Sequence, residues 1–151
     1  MNRVPFVGLV GLLVLIGVGA PHMAAAQGYG PTPRIIGVTS GRSPYQSETI
    51  QAGQTRTLPD HRGPTLMVRV WIPGSYASGE HRLLFVYNNG YIEWLRQAQP
   101  VPVYDAGWAI GTVWTYSMYH DFFAGICTYV QAKPSTGFGS TEQEWHQLVI
   151  R

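Results

Sequence analysis

Cysteine and lysine are nearly missing from this chain: Cys127 and Lys133 are the sole examples of each in 151 residues. One cysteine excludes an internal disulfide, and with it a small fold held by a disulfide framework. Charge is also scarce, at 12% of residues with a formal net charge of +2. That excludes binding driven by charge to nucleic acid or to an anionic membrane surface. Sustained apolar repeats at helical spacing are missing, so no convincing helix is expected. There is no internal repeat and no low-complexity tract. Beyond the first twenty residues, no apolar run reaches the ~20 residues of a membrane-spanning helix.

The one apolar run lies at the start. Met1-Asn2-Arg3 is a short basic lead, Phe6 to Ala20 is apolar, Pro21 breaks the run, and Ala24-Ala25-Ala26 supplies small residues. Together they have the order of a cleavable signal peptide. The expected organisation is therefore a signal peptide over 1–26, a flexible Gly/Pro-rich tether over 27–34 and one domain over 35–151. No cysteine follows the apolar run to carry a lipid anchor. The expected location is exported: periplasmic, cell-surface or extracellular. Cleavage after Ala26 leaves 125 residues with a net charge of about +1, enough chain for one domain with its own core.

What the chain has in quantity is strand signal. Leu83 to Arg96 holds two aromatic-rich runs meeting at Asn88-Asn89-Gly90. Asn-Gly between such runs predicts a hairpin with a type I′ turn, whose central residues both take positive φ. Leu66, Val68, Val70 and Ile72 alternate with Met67, Arg69 and Trp71, the period of a strand with one buried face. Further strands are expected at Ile35–Thr39, on either side of a turn at Ala52-Gly53, over Gly107–Tyr119 with a bend or bulge near Gly111, over Phe122–Gln131 and over Trp145–Ile150. Loops are expected at 40–46, 59–64, 73–80 and 132–143. Pro100 and Pro102 confine Ala98–Tyr104 to an edge or a crossing. Cys127 lies in an apolar alternating stretch and reads as a buried small hydrophobe.

Several stretches carry a resemblance: Ile50 to Thr55, Met67 to Ile72, Arg82 to Val86, Gln99 to Tyr104, and Phe123 to Tyr129. Their order resembles immunoglobulin-like or fibronectin-III-like modules of secreted bacterial proteins. In such modules the last of these runs is the penultimate strand, entered through a Pro-Gly-Thr-Tyr type turn. Here Asp121-Phe122-Phe123-Ala124-Gly125 stands in that place without the Pro. The resemblance implies an all-β fold, a single antiparallel immunoglobulin-like sandwich of about 7–9 strands. It brings no catalytic residues.

Catalytic patterns are thin. There is no Gly-x-Ser-x-Gly, and nothing beside Cys127 marks it as a nucleophile. Glu80, Glu93, Asp105, Asp121, Glu142 and Glu144 are scattered rather than paired, and Glu93 is expected to face Arg69 or Arg82 across the ladder. His120, Cys127, His146 and Met118 are the ligand types of a type-1 copper site, but no Met follows Cys127 and the next His is His146. The aromatics stand out instead, at 13% of the chain with five Trp and nine Tyr. A sandwich of this size cannot bury them all, and exposed Trp and Tyr mark interfaces or sugar platforms. Trp71, Tyr91, Trp94 and Trp108 are the expected contact residues. The leading expectation is a non-enzymatic exported structural or interaction module, binding another exported protein or itself by an aromatic face or edge strand. The alternatives are a carbohydrate-binding module and a small periplasmic copper protein; otherwise no cofactor is implied.

Overall fold

The computed structural model of the chain describes residues 29–41, 46–76, 80–122, 124–133 and 141–151. The expected signal peptide lies outside them, as do the first tether residues and most of the 132–143 loop. Among the described residues there are ten strands and one short 3-10 turn: β1 (Arg34–Ser40), β2 (Gln46–Thr49), β3 (Leu66–Pro73), the turn Gly74–Tyr76, β4 (Glu80–Tyr87), β5 (Ile92–Trp94), β6 (Arg96–Gln97), β7 (Val101–Asp105), β8 (Trp108–Met118), β9 (Gly125–Lys133) and β10 (Thr141–Ile150). The count exceeds the expected 7–9 because the edge after β5 is broken into the short strands β6 and β7; β2 is the strand expected before Ala52-Gly53, while the one expected after it is reduced to a bridge at Arg56. One sheet has six strands in the order β2-β1-β3-β8-β6, with β7 also paired to β8. The other has four, ordered β10-β9-β4-β5. Every strand pair in both is antiparallel.

Alternation explains the core. Leu66, Val68, Val70 and Ile72 of β3 and Tyr116 and Met118 of β8 are buried with Leu83 and Phe85 of β4, Cys127 and Tyr129 of β9, and Leu148 and Ile150 of β10. Both sheets thus supply one cluster, the arrangement of a sandwich interior. Cys127 is a free, fully buried thiol. Burial pushes its pKa up, so it stays protonated.

The hairpin at Asn88-Asn89-Gly90 forms, but not with the expected turn. Gly90 N–H donates to the Tyr87 carbonyl at 2.9 Å, and Tyr87 N–H to Tyr91 O at 2.9 Å. Of the loop residues only Gly90 has positive φ, at 83°. This is a three-residue loop closed by one left-handed glycine rather than a two-residue type I′ turn. The difference fixes register: Val86 pairs with Ile92 and Phe85 with Glu93. A two-residue loop with two positive φ values occurs instead at Ala106-Gly107, between β7 and β8, at φ 47° and 85°. Ala106 is the one non-glycine with positive φ among the described residues. An alanine there costs about 1 kcal/mol. Ala106→Gly or Ala106→Asn is expected to stabilise the protein by about 0.5–1 kcal/mol, read as a higher denaturation midpoint.

The expected bulge is found. β7 and β8 shift register between Val103/Tyr104, leaving Ile110 unpaired next to Gly111. Edges are managed differently on the two sides. The β10 edge is covered: Val149 N–H donates to Thr55 O and Thr57 N–H to Val149 O, both at 2.9 Å, in a parallel bridge at Arg56. The opposite side is built from fragments. After β5 the chain leaves the four-stranded sheet at Leu95, which is buried and donates its N–H to Leu83 O at 3.0 Å. It then joins β8 of the other sheet as β6. Ala98 N–H follows, donating to Thr115 O at 2.8 Å. One strand crossing links the two sheets on this side.

Candidate functional site

The four expected contact residues are not brought together. Trp71 is 2% exposed. Its ring lies against Gly111, where a Cβ would overlap the indole and the Ile72 carbonyl. The Tyr29 ring packs against it, tilted by 43° with centroids 4.4 Å apart, and the Trp71 Nε1–H donates to Gly30 O at 2.8 Å. Residues 29 and 30, expected to be tether, therefore cover the Trp, and β1 starts at Arg34, within the same stretch. Trp71 is removed from the open aromatics because the chain's own N-terminal segment and a side-chain-free residue on β8 give it a slot. Trp108 is 79% exposed, on the six-stranded sheet beside the Ala106-Gly107 turn. Tyr91 (62%) and Trp94 (47%) are exposed at the β4–β5 hairpin of the other sheet.

Trp94 belongs to a larger surface. Leu83 and Phe85, Cys127 and Tyr129, and Leu148 and Ile150 point inward, so the residues between them lie on the outer face, where Thr128 is itself covered. The register sets Ile92, Val86, Ile126 and Val149 side by side across all four strands. The next row holds Trp94, Leu84, Thr128 and Gln147. Ile92 and Ile126 are exposed, Ile126 at 40%. The outer face of this sheet thus carries a continuous aliphatic row with a Trp at its corner. Sequence reasoning found Trp94 and missed Ile92, Val86, Ile126 and Val149. Their signal was available in Leu83–Tyr87, which is apolar at every position instead of alternating.

Three polar clusters complete the inventory. In the first, His61 Nδ1 lies 3.2 Å from Ser40 Oγ, and its Nε2 lies 3.4 Å from Glu48 Oε2. This is the bonding order of a Ser-His-carboxylate relay, yet Ser40 and His61 are both fully buried, which leaves the hydroxyl out of reach of a substrate. Glu48 also accepts from Leu58 N–H and Gln54 Nε2, and His61 N–H donates to the Arg151 carbonyl. The network pins the 55–61 segment to β1, β2 and the chain end. Desolvation lowers the His61 pKa, against the pull of Glu48.

In the second, Glu93 accepts from His120 Nε2 at 2.9 Å and from the Tyr87 hydroxyl at 2.9 Å. It meets neither Arg69 nor Arg82 as expected: the crossing at Leu95 aims it at the end of β8. Arg82 instead forms a two-point pair with Glu80. His120 Nδ1 donates to Asp121 O, which with Glu93 raises its pKa. In the third, His81 Nδ1 and the Tyr129 hydroxyl are 2.6 Å apart inside the core.

The residues of the copper alternative are used elsewhere. His146 Nδ1 accepts from Ile35 N–H and its Nε2–H donates to Gln54 O, both at 3.0 Å. Cys127 packs in the core, and Met118 Sδ lies 3.3 Å from the Tyr87 hydroxyl. Among the described residues no three His, Cys, Asp or Glu side chains converge as a ligand set. No helix of the described residues is long and apolar enough to cross a membrane. No family model, no curated protein and no solved structure matches this chain.

Proposed function

We propose that this protein is an exported, non-enzymatic interaction module with an immunoglobulin-like sandwich, and that it binds another protein chain through the outer face of its four-stranded sheet. The observation that carries this reading is the Ile92–Val86–Ile126–Val149 row beside Trp94 and Leu84 on the outer face of that sheet, with Ile92, Ile126 and Trp94 exposed and the others half-buried. An apolar surface of this continuity on a sheet face is typical of an interface. The strand orders β1-β3-β8-β7 and β10-β9-β4-β5 support the immunoglobulin-like assignment, since they parallel the A-B-E-D and G-F-C-C′ sheets of that class. The apolar N-terminal run with its Ala-x-Ala supports export.

Ile126→Asp tests it. The side chain faces outward and is partly exposed, so the fold tolerates the change, while a carboxylate in the middle of a dry interface weakens binding by about a hundredfold. Light scattering on the purified protein and pull-down from the native source supply the readouts. A strict monomer that recovers no partner, or complexes that persist unchanged in Ile126→Asp, overturns the proposal.

A further inference from the structure

We propose a second site, adjoining the sheet face at Trp94: a small cavity on the open side of the sandwich that binds one neutral sugar ring. It arises from the strand crossing. β5 pairs only Leu84, Phe85 and Val86, and the chain then departs at Leu95 to pair with β8. Beside the first half of β4 this leaves a cavity of about 210 Å³ at the sheet edge, lined by Glu80, His81, Arg82, Trp94, Gln97 and Tyr116, with Leu83 and Leu95.

The wall chemistry selects the ligand. Trp94 has its indole beneath the Arg82 guanidinium, 5.4 Å from the ring centre, and keeps about half its surface open. An open indole face suits the C–H side of a pyranose. The Arg82–Glu80 pair, at 2.9 and 2.7 Å, holds a carboxylate and a guanidinium rigidly at the rim. The Glu80 carboxylate has further lone pairs for hydroxyl groups, and Gln97 adds an exposed amide. Because the rim charges cancel, the cavity favours a neutral polyhydroxy molecule over an anion. At about 30 Å³ per water, the volume equals some seven waters, enough for one ring and too small for a chain of them.

Tyr116 supplies an independent observation. It is 1% exposed, and its hydroxyl is one of two buried side-chain polar atoms without a hydrogen bond among the described residues. A buried hydroxyl left unbonded is costly and calls for a partner. A ligand hydroxyl at the cavity floor is that partner. The Tyr116 oxygen has no open surface of its own, so contact requires a small rotation of the ring as the ligand enters.

The test titrates the exported protein with glucose, galactose, mannose and N-acetylglucosamine by calorimetry and saturation-transfer NMR. A glycan array separates a free sugar from the terminal ring of a larger glycan. At least one neutral sugar is expected to bind saturably in one of the two formats. Tyr116→Phe is expected to weaken it about tenfold while leaving the melting temperature of the empty protein unchanged or slightly higher. Trp94→Ala abolishes binding, and Gln97→Ala, an exposed change safe for folding, weakens it severalfold. Ile126→Asp leaves it intact, which separates this site from the partner face. The proposal is overturned if no neutral sugar binds in either format, if the cavity holds water only at saturating sugar, or if binding is indifferent to Tyr116→Phe and Gln97→Ala.

Discussion

Phe85→Ala is expected to lower the unfolding free energy by about 3–5 kcal/mol. Phe85 is fully buried at the centre of β4. Its ring meets Tyr87 edge-on at 4.8 Å and Phe122 at 5.8 Å, and its backbone lies opposite Cys127 on β9. It also covers Gly125: a Cβ there would overlap the Phe85 ring and stand 2.6 Å from the Val86 carbonyl oxygen. Truncation therefore removes a large transfer contribution and opens a cavity above a residue with no side chain to fill it. Collapse is resisted because the floor is backbone, hydrogen-bonded into the sheet. Urea titration of the two proteins gives the difference directly. A loss below about 1 kcal/mol would mean that Phe85 is not the centre of the core.

Acid is expected to destabilise the fold, with the loss beginning below the ordinary histidine pKa of 6.5. His61 and His146 are both held as neutral rings, with desolvation as the leading cause. For His146 the geometry agrees, since its Nδ1 must remain unprotonated to accept from Ile35 N–H. A folded-state pKa below the unfolded one contributes stability that is fully present above pH 6.5 and is lost as pH falls toward the folded value. Each such group removes at most about 1.4 kcal/mol per pH unit over that interval. His120 has the opposite sign. Its raised pKa contributes below pH 6.5 and fades as pH rises, but the side chain is half exposed and the contribution is correspondingly screened. Denaturation midpoints measured between about pH 7.5 and 5 should therefore fall. The fall should flatten in His146→Gln, whose amide supplies both a donor and an acceptor. A midpoint that is level or rises on acidification would sink this account.

Much of the fold is legible in local pattern. Leu66 to Ile72 alternates, and its even-numbered residues form the core face, while Trp71 is covered on the other side. Pro100 and Pro102 announce an edge, and β7 is one. Gly111 signals irregularity, and the bulge lies beside it. Such features depend on residues adjacent in sequence, where sterics and two-residue periodicity act without reference to the rest of the chain. The hairpin marks the limit. Asn88-Asn89-Gly90 dictates that the chain reverses, because Gly90 adopts positive φ readily. The strand register it joins determines the turn, by holding Tyr87 opposite Tyr91.

The candidate surfaces were legible only in part, for the same reason. An aromatic count says that some rings must face outward. Which ones depends on distant neighbours: Trp71 is covered because Tyr29 and Gly111 converge on it, from 42 and 40 positions away in sequence. Ile126 faces solvent because Cys127 must face the core. Ser40, Glu48 and His61 share a network because β1, β2 and the following loop meet at the chain end. The side cavity exists because one strand changes sheets at Leu95. The sequence by itself determined an all-β chain, its strand positions and its surplus of aromatics, since each follows from short-range sterics and composition. Tertiary structure alone decided which aromatics are open, which polar groups meet and where the sandwich stays unsealed, because those are set by register between strands far apart in the chain.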